Sequence, residues 1–529
     1  MFALPSFKEQ LYFIARVLSR LGVVQCDMMI LSIYLKRFAM KKKILKQYFT
    51  DANDIKCLMC QLLGNVTGLS VLEPSVGYGA FLSGLIGSPI KIDAVDIDSD
   101  ALEITKEKFG HLELTLHHKD FIKIFDNEIP DEVDAICKSY YDAVISNPPY
   151  GLYFDLEYRR QLKKKYPNFY VKESYGLFFM LAILRLKENG RYVFLVPDTF
   201  LTSISHKPLR EFIIKNAAPS HIIRFPSKRF ETVNFAYGNL CIIAGNRKKL
   251  EELDTVYWSD LFHNENSLNL KTVFQSSVAA KKIIQQVSTG WNSGMLGEDT
   301  KYFADHILLG DLAECRTGIY TGDNQRFIGF DPARVTRRIN GHPIEWGQVK
   351  CEELTVEEME SGIKDGNDYV PLIRGGHRQP FEQPSSAVHW SVESVCFYKT
   401  NKKARLQNAS YYFRRGISVP MVSTRRISAA IMENAVFDQG VVGVFPKAER
   451  DISFLLIYLN SSLASRRIKE ITNGSANNSA NYLKRLPVPK LTDEQYKAAA
   501  EIYENAKNNK SLPQEVCDDF IGAIDPLPF

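Results

Sequence analysis

Metal and disulfide signatures are nearly absent from this 529-residue sequence. Its nine cysteines are scattered and odd in number, which argues against a disulfide framework and for a reducing, cytoplasmic setting. Cys57 and Cys60 have CxxC spacing, but no second pair accompanies them and they lie in an apolar helical pattern. The ten histidines form no HExxH pattern, so no metal site is expected. Long apolar runs are missing too. Within residues 1–40, Lys8, Glu9, Arg16, Arg20, Asp27, Lys36 and Arg37 interrupt every stretch of about 20 residues, which excludes a spanning helix there. No small-residue cleavage site follows a clean apolar core, so no signal peptide is expected. Repeats, low-complexity tracts and a Pro-Asp…Glu-x-Lys nuclease set are also lacking. The net charge of +5 is too small to identify a polyanion partner by itself, so its distribution must decide.

What is present is an alternation of strands and helices. Short β-branched runs at 71–72, 92–97, 114–116, 143–146, 192–196, 222–225 and 240–244 read as strands, with helical patterns such as 175–187 and 207–214 between them. The expected fold class is therefore α/β, a Rossmann-like doubly wound sheet, over residues 41–250. Residues 1–40 read as an N-terminal extension and 251–300, polar and of mixed charge, as a connecting arm. Residues 301–490 change to short strands, turns and clustered arginine, the texture of a separate α+β domain. Residues 491–529 read as a helical tail.

The motifs fall at the carboxyl ends of the predicted strands, where such sheets bind ligands. Asn147-Pro148-Pro149-Tyr150 follows an apolar strand. The two prolines restrain the backbone, leaving an amide side chain, a free carbonyl and an aromatic ring on a stiff loop. Two acceptors and a stacking face suit a flat heterocycle that carries an amino group. Upstream, Glu73-Pro74-Ser75-Val76-Gly77-Tyr78-Gly79 reads as a strand end, a glycine turn and a helix start. Gly77 and Gly79 let the backbone approach a ligand closely. The third glycine of a dinucleotide fingerprint is missing, and Glu73 would repel a diphosphate. That combination favours a ligand with a cationic part, such as the sulfonium and ammonium of S-adenosylmethionine. Asp96, ending the next strand, suits ribose hydroxyls, with Ile97 against an adenine face. Asp120 and Phe121 follow the third strand, placed for the adenine amino group and ring.

These residues, in this order, resemble the gamma-class, Taq-like adenine-N6 DNA methyltransferases of restriction–modification systems. Tyr48-Phe49-Thr50 resembles that family's element before the first strand, which contacts the methionine end of the cofactor. Asp51 stands where the family usually has proline. Glu73 through Gly79, Asp96 and Asp120-Phe121 resemble its first three motifs, and Asn147 through Tyr150 its catalytic motif. Phe230 is the matching candidate for a second base-stacking aromatic, with Phe235 a competing choice. The resemblance covers roughly 41–490. It implies an S-adenosylmethionine-dependent methyltransferase domain followed by a DNA target-recognition domain, with double-stranded DNA and a cognate restriction endonuclease as partners. It further implies that Asn147 and the Pro148 carbonyl accept hydrogen bonds from a flipped adenine.

Gly318-Ile319-Tyr320-Thr321-Gly322 resembles the entry to such recognition domains. Between 401 and 432, Lys402, Lys403, Arg405, Arg414, Arg415, Arg425 and Arg426 occur with no acid and beside Tyr411, Tyr412 and Phe413. A one-sided basic run interleaved with aromatics reads as a DNA surface. Two alternatives stay open: methylation of RNA or of a protein glutamine, and a recognition subunit of a defence complex.

Overall fold

Each of the seven predicted strands of the first half forms, and two more join them. The computed structural model describes residues 52–525 except 127–134, 153, 170–172, 230–238, 262–275, 293–305, 335–339, 365, 367, 377–378, 425 and 473–475. It divides into two compact units, with boundaries at 197/198, 207/208 and 280/281.

In the first unit the strands are β1 (Ser70–Glu73), β2 (Lys91–Asp96), β3 (Leu114–His118), β4 (Tyr141–Ser146), β5 (Leu186–Pro197), β6 (Ala218–Pro226), β7 (Asn239–Asn246), β8 (Thr255–Asp260) and β9 (Ser277–Ala279). They form one sheet in the order β3-β2-β1-β4-β5-β7-β6-β8-β9. β7 is antiparallel to both β5 and β6, and β9 is antiparallel to β8; the other neighbours are parallel. This is a doubly wound order with an antiparallel strand inserted between the fifth and sixth. The chain reverses direction across the sheet between β1 and β4, so a crevice opens beyond their carboxyl ends.

Burial explains the central strands. Val71 and Leu72 of β1 and Ala143, Val144 and Ile145 of β4 are fully buried, as expected for strands covered on both faces. Helix α1 (Asn53–Leu63) buries Ile55, Leu58, Met59, Cys60 and Leu63, one apolar stripe at helical spacing. Helix α2 (Ser99–Phe109) is capped by Asp98, whose side chain accepts from the Asp100 amide. Helix α3 (Leu156–Lys165) is capped in the same way by Asp155. In α4 (Ser174–Leu184) every residue from Ser174 to Ile183 is buried. Helix α5 spans Lys207–Asn216.

Three expectations need correction. The helix predicted over 175–187 stops at Leu184, and β5 begins at Leu186 rather than at 192. The glycine turn leads not into a regular helix but into turns and one short 3-10 helix, Leu82–Gly84. Gly79, Gly84, Gly87 and Pro89 in this stretch disfavour a longer helix. Finally, the segment read as a connecting arm supplies β8 and β9. Val256 and Trp258 are fully buried, and the buried Arg224 of β6 pairs with Asp260 of β8 at 3.1 Å.

Among the described residues the second unit has three sheets. β10 (His306–Leu308) pairs with β20 (Pro487–Pro489). β11 (Ala313–Thr317), β19 (Val441–Pro446), β16 (Gly416–Pro420) and β17 (Ala430–Met432) form an antiparallel sheet. β13 (His342–Pro343), β12 (Ile328–Phe330), β15 (Ser386–His389), β14 (Tyr369–Ile373) and β18 (Val436–Phe437) form the third. One core joins the antiparallel sheet to α7 (Asp451–Asn460), α8 (Ser462–Ile471), α9 (Asp493–Asn508) and α10 (Gln514–Ile524). The helices expected as a tail thus pack into this unit through Ala499, Tyr503, Cys517 and Ile521. A second core lies under the third sheet and α6 (Val392–Thr400). Among the described residues, no helix is long and apolar enough to cross a membrane.

Candidate active site

The carboxyl ends of β1, β2 and β4 and the turn after β3 converge on one cleft of about 790 Å³, counting its open mouth. Its walls include Glu73, Gly77, Asp96, Ile97, Asp120, Phe121, Asn147 and Pro149, all singled out from sequence. The structure adds Ser75, Tyr78, Phe81, Lys119, Leu152 and Phe178.

Glu73 is the electrostatic centre of the cleft. It is completely buried, and neither carboxylate oxygen has a hydrogen-bond partner among the described residues. Burial, reinforced by the nearby Asp96, raises its pKa well above the ordinary carboxylate range. A buried carboxylate without donors is costly and calls for a cation or donor from a ligand. That orphaned group fits the charged portion of S-adenosylmethionine and does not fit a diphosphate.

Asp96 closes the loop that carries the glycines. One carboxylate oxygen accepts from the Gly77 amide at 2.8 Å and the other from the Asp98 amide at 2.9 Å. Burial raises its pKa, and those backbone bonds oppose the shift. Gly77 and Gly79 have φ of 51° and 73°, in the left-handed region. Gly79 does not line the cleft; a Cβ there would lie 2.5 Å from the Phe109 ring, so this glycine serves the packing of the loop on α2. Ile97 is unusually exposed for an isoleucine, at 48%, and presents an apolar wall. Asp120 accepts from the Ile122 and Lys123 amides. Phe121 packs on Phe178, with ring centroids 5.3 Å apart.

The loop after β4 is strapped on both sides. Ser75 Oγ donates to the Asn147 carbonyl at 3.0 Å and sits 2.9 Å from Ser146 Oγ. Ser174 Oγ donates to the Pro149 carbonyl at 2.6 Å. The Pro148 carbonyl between them has no donor among the described residues. Tyr150 is buried rather than turned to the cleft. Its hydroxyl lies 2.5 Å from Asn147 Oδ1 and 3.1 Å from the Leu195 carbonyl, one proton facing two acceptors. Its ring meets Tyr175 edge-on. Stacking on Tyr150 therefore requires this ring to be uncovered first. Tyr48, Phe49, Thr50, Phe230 and Phe235 lie outside the described residues.

Burial, with Glu73 nearby, pushes the Cys60 thiol up to about 12, and Cys60 contacts the Phe81 carbonyl.

With this geometry in place, the chain can be compared with known proteins. Residues 89–230 match the family model described as Eco57I restriction-modification methylase. Over 189 residues the chain is 30% identical to the type II methyltransferase M.AccI of Acinetobacter calcoaceticus, covering 34% of this chain and 33% of that protein. Over 347 residues it is 22% identical to the adenine-specific methyltransferase BrxX of Escherichia coli O9:H4, covering 62% of this chain and 26% of that protein. The matched stretch thus spans about a third or less of either relative. In fold, the chain is similar to the type IIL restriction-modification enzyme MmeI, solved in complex with DNA. The TM-score is 0.52 at 14% identity, covering 94% of this chain and 74% of that one.

In the second unit Lys402, Lys403, Arg405, Arg414, Arg415 and Arg426 of the basic run are all exposed, and some have partners within the protein. Lys402, Lys403 and Arg405 are exposed beside the loop 318–323. Arg414 is exposed over the Tyr411 ring, 5.3 Å from its centroid. Arg415 instead contacts Glu449 and Tyr503, and Arg426 contacts Gln514 of α10. Arg425 lies outside the described residues.

Proposed function

We propose that this protein is an S-adenosylmethionine-dependent DNA methyltransferase that modifies the N6 amine of adenine within a short sequence, protecting DNA from a cognate endonuclease. The observation that carries this reading is the shared cleft. A buried carboxylate without a partner among the described residues and Asn147 of a proline-stiffened loop line the same space. The Eco57I-type match and the names of M.AccI and BrxX support the restriction–modification setting and adenine as the base.

Glu73 binds the cationic part of the cofactor, Asp96 its ribose, and Ile97, Asp120 and Phe121 its adenine. When bound, the cofactor supplies an electrophilic methyl group on sulfonium. The target amine is a weak nucleophile because its lone pair is delocalised into the ring. Asn147 Oδ1 and the Pro148 carbonyl accept its two N–H bonds and favour a tetrahedral nitrogen whose lone pair points at the methyl carbon. On methylation the extra proton would leave the nitrogen to water. Orientation and placed acceptors carry this catalysis, with no strong base required. A duplex base must first be flipped out, at about a few kcal/mol. Stacking on Tyr150, and on Phe230, returns about 1–3 kcal/mol per base.

The test is to incubate the full chain with S-adenosylmethionine and unmethylated plasmid, digest the DNA to nucleosides and analyse them by mass spectrometry. N6-methyladenine supports the reading. Methylcytosine, or methylation of RNA or protein in its place, refutes it.

A further inference from the structure

Loop 318–322 is held as a short extended segment between two others. On one side the Ile319 amide donates to the Phe437 carbonyl at 2.8 Å and the Gln439 amide donates to the Ile319 carbonyl at 2.9 Å. On the other side Tyr320 and Arg405 exchange both backbone bonds, at 3.1 and 2.8 Å. The neighbouring glycines are forced by this crowding. A Cβ at Gly318 would lie 1.8 Å from the Phe437 carbonyl oxygen, and Gly322, at φ 80°, sits against the backbone of Lys403 and Ala404. Ile319 is buried, so the small ladder rests on the core beneath the third sheet.

Side chains on this rigid backbone point outward together. Arg405 and Gln439 are both exposed. The Arg405 guanidinium lies over the Tyr320 ring, 5.2 Å from its centroid, and Arg405 Nη2 donates to Gln439 Oε1 at 3.4 Å. Lys402 and Lys403 stand beside them, exposed. A forked guanidinium and a primary amide are the two side-chain types that read purine edges bidentately in the major groove. Mounted on paired backbone and braced by an aromatic ring, they lose little freedom on contact. Lysines at the margin suit phosphates, which position without reading.

We propose that Arg405 and Gln439, braced by Tyr320, are base-reading residues of the DNA target, with Lys402 and Lys403 as phosphate contacts. This deepens the functional reading above and rests on it.

The test reads binding, not methyl transfer. The full chain, with the non-reactive cofactor analogue sinefungin, is used to select duplexes from a random library, which are then sequenced. The wild type is expected to give a consensus. Gln439→Ala and Arg405→Ala are each expected to lose preference at one position, by roughly 5- to 150-fold in discrimination. Arg405→Lys keeps the charge but not the fork, so it should lose the same preference while keeping affinity and salt dependence. Lys402→Ala should weaken all duplexes alike. An unaltered consensus in Gln439→Ala and Arg405→Lys overturns the proposal, as does a wild type that binds duplexes without any consensus. Methylation of the wrong substrate would instead count against the functional reading, because this selection does not depend on catalysis.

Discussion

Replacing Glu73 by glutamine keeps the shape of the side chain and removes its charge. Glu73 is completely buried and neither oxygen has a partner among the described residues, so a bound cation would compensate its charge. Truncating one member of a buried, hydrogen-bonded charge pair costs about 2–5 kcal/mol. The expected fall in S-adenosylmethionine affinity is therefore roughly 30- to 4,000-fold. The sign of the pH dependence follows from the raised pKa. A carboxyl whose folded pKa is raised holds its proton more tightly folded than unfolded. Its contribution to stability without cofactor is fully present below the ordinary carboxylate range, and it is lost as pH rises toward the folded pKa. Within that window, cofactor binding favours the carboxylate and expels the proton. Isothermal titration calorimetry in buffers of different ionisation enthalpy should show proton release for the wild type and none for Glu73→Gln. Thermal melts without cofactor should show the wild type losing stability relative to the variant as pH rises through the window. Unchanged cofactor affinity in Glu73→Gln, or identical proton release, would refute the placement of the cation.

Other outcomes follow from the same geometry. Ser75→Ala removes one hydrogen bond to the catalytic loop, worth about 0.5–1.5 kcal/mol; steady-state kinetics should show kcat lowered by about 2- to 12-fold with KM for the cofactor little changed, and a change confined to KM would contradict the strap. Tyr150→Phe keeps the ring and should retain most transfer, whereas Tyr150→Ala should lose base stacking worth about 1–3 kcal/mol; 2-aminopurine fluorescence at the target position distinguishes them, and equal behaviour would remove the ring from the stacking role. Arg415→Ala should lower the melting temperature, since Arg415 contacts Glu449 and Tyr503, and should leave the salt dependence of DNA binding intact; a reduced salt slope would return Arg415 to the DNA surface.

The sequence was most legible where chemistry and strand periodicity coincide. Glu73, Asp96, Asp120 and Asn147 each follow an apolar run, and all four line one cleft. The central strands β1 and β4 form because apolar runs covered on both faces leave few alternatives. Less legible were contacts between distant segments. Ser75 and Ser174 are ordinary loop and helix-start residues until the fold brings their hydroxyls to the loop after β4. Val256 and Trp258 sit among charges, which masked a strand whose buried side pairs with β6. Likewise, the charge run over 401–426 has one sign in sequence, and the partners that Arg415 and Arg426 find in α9 and α10 could not be read from it. Gln439, uncharged and far along the chain, carried no signal before Arg405 was seen beside it.

The central claim is that this cleft methylates adenine in DNA through Asn147. Single-molecule sequencing of DNA from a methylation-free host expressing the wild type, compared with Asn147→Ala, tests it most directly. The account predicts N6-methyladenine at one short motif in the wild type and none in the variant, with S-adenosylmethionine binding retained by both purified proteins. Equal adenine methylation in the two strains would contradict it.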